Sequence, residues 1–251
     1  MKIKVLALLT VLCFVGCTNS HKKQNNPSQI VEQNSEVSYA KGFRINRFKD
    51  CTQLIVRNPW NSTVTLESYV LVDRNKKLPT HLPDGIVVRT PVERVAFCSS
   101  VHAGMWNQLG KAQLTVGVCE PEYFSIPVIK EGLRKGRIAN LGMATSINIE
   151  KLIAAAPEIL VVSPFENTKR TEFEKVKLVV VKDASYMEES PLGRAEWIKF
   201  EAAFTTRNCC TDTRSKGSIL LFRTRRYVEP TGQGAIDRRG MRTGVFQHTR
   251  Y

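Results

Sequence analysis

Short β-branched runs separated by turn residues dominate the chain between Tyr39 and Val92. The runs have the composition of strands and read TQLIVRN, TVTLESYVLVDR and GIVVRTP. The segments between them are rich in Pro, Asn and Gly, which predicts turns at NPWNS and NKKLPTHLPDG. The pattern therefore predicts a β-rich extension over residues 39–91, packed on the part of the chain from Val92 onward.

From Val92 onward, short continuous apolar runs alternate with longer amphipathic segments. The apolar runs predict strands at RVAFC, QLTVGVC, NLG, EILVVS and KLVVVK. The segments between them predict helices at SSVHAGMWNQLG, IPVIKEGLRKGRI, INIEKLIAAAP and TKRTEFEKV. Continuous apolar strands between helices indicate a parallel sheet covered on both faces. The predicted fold class is α/β, with a Rossmann-like lobe over residues 92–185.

Candidate functional residues follow the predicted strands, because ligands of such sheets bind beyond the carboxyl ends of the strands. Those ends carry Ser99, Ser100 and His102, then Glu120 to Tyr123, then Ser163 to Asn167, then Asp183 to Glu189. Ser99 or Ser100 is also the expected cap of the first helix, and Gly110 its expected stop.

Known catalytic and cofactor motifs are missing from the sequence. There is no GxSxG elbow, and His102 lies on the same helix start as Ser99 and Ser100, which argues against a hydrolase. No glycine-rich phosphate loop supports a nucleotide site. No Cys/His spacing indicates zinc. We therefore expect a protein that is not an enzyme and holds no resident cofactor.

The first residues have the pattern of an export signal. Lys2 and Lys4 precede an apolar run from Val5 to Val15, which is too short to span a bilayer and fits a signal-peptide core. The run ends in FVGC, which resembles a bacterial lipobox and predicts a diacylated Cys17. Phe14 departs from the leucine usual in that motif, and an ordinary signal peptide with an incidental cysteine is the alternative. The polar stretch after Cys17 predicts a flexible tether.

Charge is unevenly distributed along the chain. The formal net charge is +14, and residues 205–251 supply half of it, with nine arginines and one lysine against three acids. The remaining body is only mildly basic, so the overall charge is a poor argument for a nucleic-acid partner. We expect none.

The cysteines outside the signal do not form an obvious disulfide framework. Cys51, Cys98 and Cys119 lie in the predicted body and cannot all pair, whereas Cys209 and Cys210 lie in the tail. Buried thiols are the favoured interpretation for the three body cysteines.

Several segments together resemble the class III substrate-binding proteins of bacterial ABC importers, which serve iron–siderophore, haem and cobalamin or other corrinoid uptake. Within this family the chain is most similar to the long Bacteroidetes lipoprotein members. The similar segments are PVERVAFCSSVHAGMWNQLG, TVGVCEPEYFSIPVI, GRIANLGMATSINIEKLIAAAPEILVVSPFEN and YMEESPLGRAEWIKF. The resemblance covers residues 39–204. It implies two α/β lobes joined by a long helix, with the ligand between them.

In this family pattern, SPLGRAEWIKFEAAF is similar to the start of the interlobe helix, with Ser190 as its N-cap and Pro191 in its first turn. After Phe204 the similarity stops, and we expect the second lobe to be missing. Trp197, Ile198 and Phe204 should then be partly exposed or fold back on the first lobe. We interpret residues 205–251 as a disordered, out-of-frame tail. A basic nucleic-acid arm and a true divergent tail are the alternatives.

The predicted organisation combines these segments. It comprises a lipoprotein signal peptide (1–16), a tether (17–38), the β-rich extension (39–91), the α/β lobe (92–185), the start of the interlobe helix (186–204) and the tail (205–251).

The resemblance implies capture of a metal chelate outside the cytoplasm, on the periplasmic face of the cell membrane or at the outer membrane, and delivery to an ABC permease and its ATPase. It places Glu166, in the loop after EILVVS, at the permease contact. The wall of the ligand cleft would comprise Ser99, Ser100, His102, Tyr123, Phe165 and Tyr186. None of these residues identifies the ligand. The alternatives are a lipid-anchored structural or adhesive module without a small ligand, and a nitrogenase-like enzyme, for which Cys98 and Cys119 are too few ligands.

Overall fold

A mixed sheet opens the described part of the chain. The computed structural model describes residues 32–33, 36–165 and 178–206. Strand order in this first sheet follows the sequence, and every neighbouring pair is antiparallel except the last, which is parallel. Its strands are β1 (Glu32–Gln33), β2 (Phe43–Arg47), β3 (Thr52–Arg57), β4 (Thr65–Asp73) and β5 (Ile86–Thr90). The predicted β-rich extension is thus a sheet in its own right.

The second sheet is parallel throughout, as the continuous apolar strands predict. The strands are β6 (Val95–Phe97), β7 (Thr115–Val118), β8 (Ala139–Asn140), β11 (Ile159–Val162) and β12 (Val179–Lys182). Their order in the sheet is β12-β11-β6-β7-β8. A small hairpin, β9 (Gly142–Met143) and β10 (Ser146–Ile147), follows β8. The α/β fold class is confirmed.

The described residues also form five α-helices: α1 (Ser100–Gln108), α2 (Pro127–Arg134), α3 (Ile149–Ala155), α4 (Pro191–Glu196) and α5 (Ile198–Thr205). Side-chain caps begin three of them, because Ser99, Asn148 and Ser190 each accept a backbone N–H of the first turn. Ser190 is the predicted cap, and Ser99 rather than Ser100 caps α1. The helix predicted at TKRTEFEKV lies outside the described residues.

The predicted interlobe helix is divided at Trp197 into α4 and α5. Trp197 and Phe204 are fully buried, so the helix folds back on the lobe, one of the two expected outcomes. Its apolar side enters an aromatic cluster in which ring centroids lie 4.9–6.3 Å apart. The cluster comprises Phe43, Tyr69, Trp197, Phe200 and Phe204. It joins α4 and α5 to the first sheet.

Tyr69 of β4 connects the two sheets. Its hydroxyl donates to the Val180 carbonyl at 3.0 Å and accepts the Lys182 N–H at 2.8 Å. Both groups belong to β12, the edge strand of the parallel sheet. The Lys182 ammonium also lies 3.4 Å from the Glu67 carboxylate of β4. The first sheet therefore covers the outer edge of β12.

None of the helices within the described ranges is long and apolar enough to cross a membrane.

Candidate functional site

Exposed aromatic side chains lie at the carboxyl edge of the parallel sheet. Tyr123 follows β7, Phe165 follows β11 and Tyr186 follows β12, with exposed fractions of 68%, 62% and 41%. Side chains of this size are normally buried, so three of them at one sheet edge indicate a surface suited to contact. We call these three residues the aromatic edge. Sequence reasoning placed all three at the strand ends.

Phe165 and Tyr186 form a pair, although they come from different loops. Their ring centroids lie 6.4 Å apart with a 44° angle between the ring planes. The Tyr186 hydroxyl donates to the Pro164 carbonyl at 2.5 Å, which fixes the ring beside the loop that carries Phe165. Burial raises the pKa of the Tyr186 phenol, so it remains a neutral donor at physiological pH.

Tyr123 lies in a single 3-10 turn, Pro121–Tyr123. The turn follows Glu120, which has the left-handed backbone conformation φ 50°, ψ 60°. A non-glycine residue there is uncommon and turns the chain sharply away from the end of β7. The turn leaves the Tyr123 ring exposed at the same sheet edge as Phe165 and Tyr186.

The two predicted serines belong to the start of α1. The Ser99 hydroxyl accepts the Val101 N–H at 3.3 Å and so has a capping role. Ser100 is the first helical residue and is half-buried. Two exposed apolar residues that the sequence analysis did not select lie near these loops, Val101 of α1 and Met143 of the hairpin after β8. Val101 comes four residues after the end of β6 and Met143 three residues after the end of β8, and this closeness to a strand end was the available signal.

His102 differs from the expectation of a cleft-lining side chain, because only 2% of its surface is exposed. Its Nε2 lies 3.8 Å from Asp183 Oδ1. Burial lowers the pKa of the imidazole, and the nearby Asp183 charge opposes this only in part, so the ring is neutral at pH 7. His102 therefore lies beneath the surface rather than on it.

Beneath the aromatic edge, acids at the end of β12 and on α5 form a buried polar group. Asp183 Oδ1 accepts the Ser185 N–H at 2.7 Å, and Trp106 Nε1 donates to Glu201 Oε2 at 2.6 Å. Burial and the adjacent Asp183 charge raise the pKa of Glu201 well above its ordinary range. Among the described residues, Asp183 Oδ2 and Glu201 Oε1 have no hydrogen-bond partner. The raised pKa keeps Glu201 protonated, so its carboxyl can donate a hydrogen bond to Asp183.

The remaining predictions concern thiols, lipid and docking. Cys51, Cys98 and Cys119 are buried, as expected, and the sulfurs of Cys98 and Cys119 lie 3.6 Å apart. Cys17 and Glu166 lie outside the described residues, so their roles stay predictions. Within the described ranges, no group of three His, Cys, Asp or Glu side chains could hold a metal ion.

Comparison with known proteins gives relatives that are themselves uncharacterized. No protein-family model matches the chain. Two uncharacterized lipoproteins of Methanocaldococcus jannaschii are similar to it. MJ0872 is 26% identical over 222 residues, covering 82% of this chain and 56% of the relative. MJ0878 is 23% identical over 237 residues, covering 81% and 56%. The chain thus spans about half the length of the curated relatives it matches.

One solved structure is similar to part of the chain. It is the iron uptake ABC transporter substrate-binding protein PiuA of Streptococcus pneumoniae, with 19% identity and a TM-score of 0.34. The similarity covers 53% of this chain and 47% of that protein.

Proposed function

We propose that this chain is a ligand-binding lobe of an extracytoplasmic, lipid-anchored substrate-binding protein for an ABC importer. Its ligand is a metal chelate of the iron–siderophore, haem or corrinoid class. The observation that carries the proposal is the aromatic edge: Tyr123, Phe165 and Tyr186 are exposed where ligands of parallel sheets bind. The lipobox-like FVGC and the lipoprotein names of the two relatives support the anchored location.

The chemistry of the aromatic edge suits such ligands. A metal chelate presents broad planar or apolar faces, and aromatic side chains bind such faces by offset or edge-to-face contact. The paired rings of Phe165 and Tyr186 are held by the hydrogen bond from the Tyr186 hydroxyl to Pro164. This pre-organisation reduces the entropy cost of binding. A binding role, with no catalytic group required, is consistent with these residues.

The proposed partner complex uses the loop that also carries Phe165. An ABC permease, driven by its ATPase, would contact the loop after β11, where Glu166 directly follows Phe165. A charged contact of this kind orients the partner more than it adds affinity. A facing wall from a second lobe of a longer protein would complete the ligand cleft.

Alanine at Phe165 or Tyr186 should weaken chelate binding about tenfold, because an aromatic contact contributes about 0.5–1.5 kcal/mol beyond its buried area. For the unmodified chain we expect a Kd weaker than about 1 µM, since well-formed pockets bury about 70–90% of a ligand and the described residues provide one wall. Calorimetric titration with haem, cobalamin and a ferric siderophore measures both effects.

The control for this titration is Leu78→Ala. Leu78 is exposed in the loop after β4. That loop begins with Arg74, whose guanidinium pairs with Glu158 at the amino end of β11, so it lies at the opposite edge of the parallel sheet. Leu78→Ala should bind like the unmodified chain. Equal losses of chelate affinity in all three variants would show that the aromatic edge is not part of the binding site. No binding of any chelate would instead favour a lipid-anchored structural or adhesive module.

Replacing Cys17 by serine should release the protein from membranes, because a diacyl anchor supplies the affinity at about 0.8 kcal/mol for each buried methylene. Fractionation after a high-salt wash measures the release. Cys13→Ser is the matched control, since Cys13 lies within the apolar signal core and should leave the protein membrane-bound. Retention of Cys17→Ser in the membrane fraction would contradict lipidation at this residue.

A further inference from the structure

Two buried cysteines lie side by side at the carboxyl ends of the central strands. In the parallel pairing of β6 with β7, Phe97 is opposite Val118, and the next residues along the two strands are Cys98 and Cys119. The Cys119 N–H donates to the Phe97 carbonyl at 2.9 Å, which continues the ladder up to the thiols. The two sulfur atoms are 3.6 Å apart.

We propose that Cys98 and Cys119 are a redox modification site, which a disulfide oxidant converts into a reversible intramolecular disulfide. A disulfide bond is about 2.05 Å long, so the sulfurs must approach by about 1.5 Å. Side-chain rotation with a small strand adjustment supplies that movement. The bond is reversible because a thiol reductant can exchange with it in turn.

The surroundings favour a disulfide over a metal site. The thiols belong to an apolar cluster whose fully buried members are Ala96, Leu141, Leu152 and Leu160. No third metal-ligating side chain joins the pair within the described part of the chain. Two thiols in an apolar setting can form a disulfide with each other, but they cannot supply the four ligands that zinc requires.

The reaction balances with a small-molecule disulfide as the oxidant. Both sulfurs are buried, so the oxidant reaches them when the strand ends open locally, and Cys119 reacts first because its thiolate forms more easily than that of Cys98. Its sulfur attacks one sulfur of the oxidant, forms a mixed disulfide and releases one thiolate. Cys98 then attacks the Cys119 sulfur and releases the second thiolate. The two cysteine protons pass to the released thiolates, the cysteines lose two electrons and the oxidant gains them.

The contact between the sulfurs also prepares Cys119 for the first step. The sulfur–sulfur hydrogen bond lowers the pKa of Cys119 and raises that of Cys98. Negative charge is therefore held more easily on Cys119, the sulfur that attacks first. Thiolates rather than thiols are the nucleophiles in exchange.

The bond would connect two loops of the candidate site. Cys98 directly precedes Ser99, the cap of α1, and Cys119 directly precedes Glu120, which begins the turn to Tyr123. Oxidation therefore ties the start of α1 to the Tyr123 turn. An oxidising location outside the cytoplasm rests on the proposed function, whereas the chemistry of the pair does not.

Peptide mapping of the full chain tests the pair directly. The folded protein is incubated with oxidised glutathione, remaining thiols are blocked with N-ethylmaleimide, and trypsin separates residues 95–111 from residues 112–130 by cleaving after Lys111. We expect these two peptides to appear as one linked species, two hydrogens lighter than their sum, which a reductant separates. Mapping measures no ligand binding, so failure here is distinct from failure of the proposed function.

Matched variants complete the design. Cys51→Ser and the double change Cys209→Ser with Cys210→Ser should leave the linked species unchanged, while Cys98→Ser should remove it. Circular dichroism of each variant verifies the fold, and the unmodified chain gives the result even if a variant does not fold. Recovery of Cys98 and Cys119 in separate, blocked peptides after oxidation would overturn the proposal. Linkage of either cysteine to Cys51 or the tail cysteines would do the same.

Discussion

Replacing Glu196 by alanine should lower the free energy of unfolding by about 3 kcal/mol, because several backbone donors lose their acceptor at once. Glu196 Oε1 accepts the Ser38 N–H at 2.9 Å, and Oε2 accepts the N–H groups of Tyr39 and Ala40 at 2.6 and 2.7 Å. Lys199 Nζ lies 2.7 Å from Oε1. The carboxylate of α4 therefore holds the segment that leads into β2.

Urea denaturation followed by circular dichroism measures this change. The control is Glu189→Ala, since Glu189 pairs with Lys41 at 3.2 Å in solvent, with both side chains about four-fifths exposed. An exposed pair of this kind contributes about 0–1 kcal/mol. Equal losses for the two variants would show that Glu196 does not hold the segment.

The Glu196 contribution should also depend on pH. Burial by itself would raise the pKa of this carboxyl, but the Lys199 ammonium and the three backbone N–H groups outweigh it, so the pKa is lowered. A lowered pKa in the folded state means that the stabilisation is present above the unfolded value of about 4.3 and is lost as pH falls through the folded value. The stability difference between the unmodified chain and Glu196→Gln should therefore shrink under acid conditions.

Replacing Phe200 by alanine should lower the free energy of unfolding by about 4 kcal/mol, the usual cost of deleting a buried aromatic ring. Phe200 is fully buried at the centre of the aromatic cluster. Its ring centroid lies 5.0–6.3 Å from those of Trp197, Phe204, Phe43 and Tyr69. The cavity would separate α5 from the first sheet.

Chemical denaturation of Phe200→Ala gives this value, and Ile198→Ala on the same helix is the control. Ile198 is half-buried, so its truncation should cost much less than the loss of the ring. A loss at Phe200 no larger than that at Ile198 would contradict the packing of α5 on the first sheet.

Much of the fold was predictable because apolar runs and turn residues report local structure directly. The continuous strands EILVVS and KLVVVK predicted a parallel sheet, and Ser190 predicted a helix start. The break at Trp197 was not predicted, since a helical pattern does not reveal where a helix bends to meet a partner. Glu196 and Glu201 are buried acids, whereas acids on a helix ordinarily indicate a solvated face.

The candidate site was predictable in position more than in detail. Topology placed Tyr123, Phe165 and Tyr186 at one sheet edge because the carboxyl ends of parallel strands share that edge. His102 was expected on the cleft wall, although the sequence contains a signal that it is buried. His102 and Trp106 are four residues apart, so they lie on the same face of α1, and the structure buries that face. The pairing of Phe165 with Tyr186 depends on two loops distant in sequence.

The hydroxyl of Tyr69 has a consequence for self-association. An uncovered edge strand offers its N–H and C=O groups as a template for strands of other molecules, a common route to aggregation. In β12 those groups include the Val180 carbonyl and the Lys182 N–H, and one phenolic oxygen occupies both. A phenylalanine at position 69 would keep the ring in the core, yet it would leave both groups unpaired beneath the first sheet, where local opening of that sheet would make them available to a strand of another molecule. The Tyr69 hydroxyl therefore keeps the pairing groups of this edge strand occupied, which opposes strand-to-strand polymerisation.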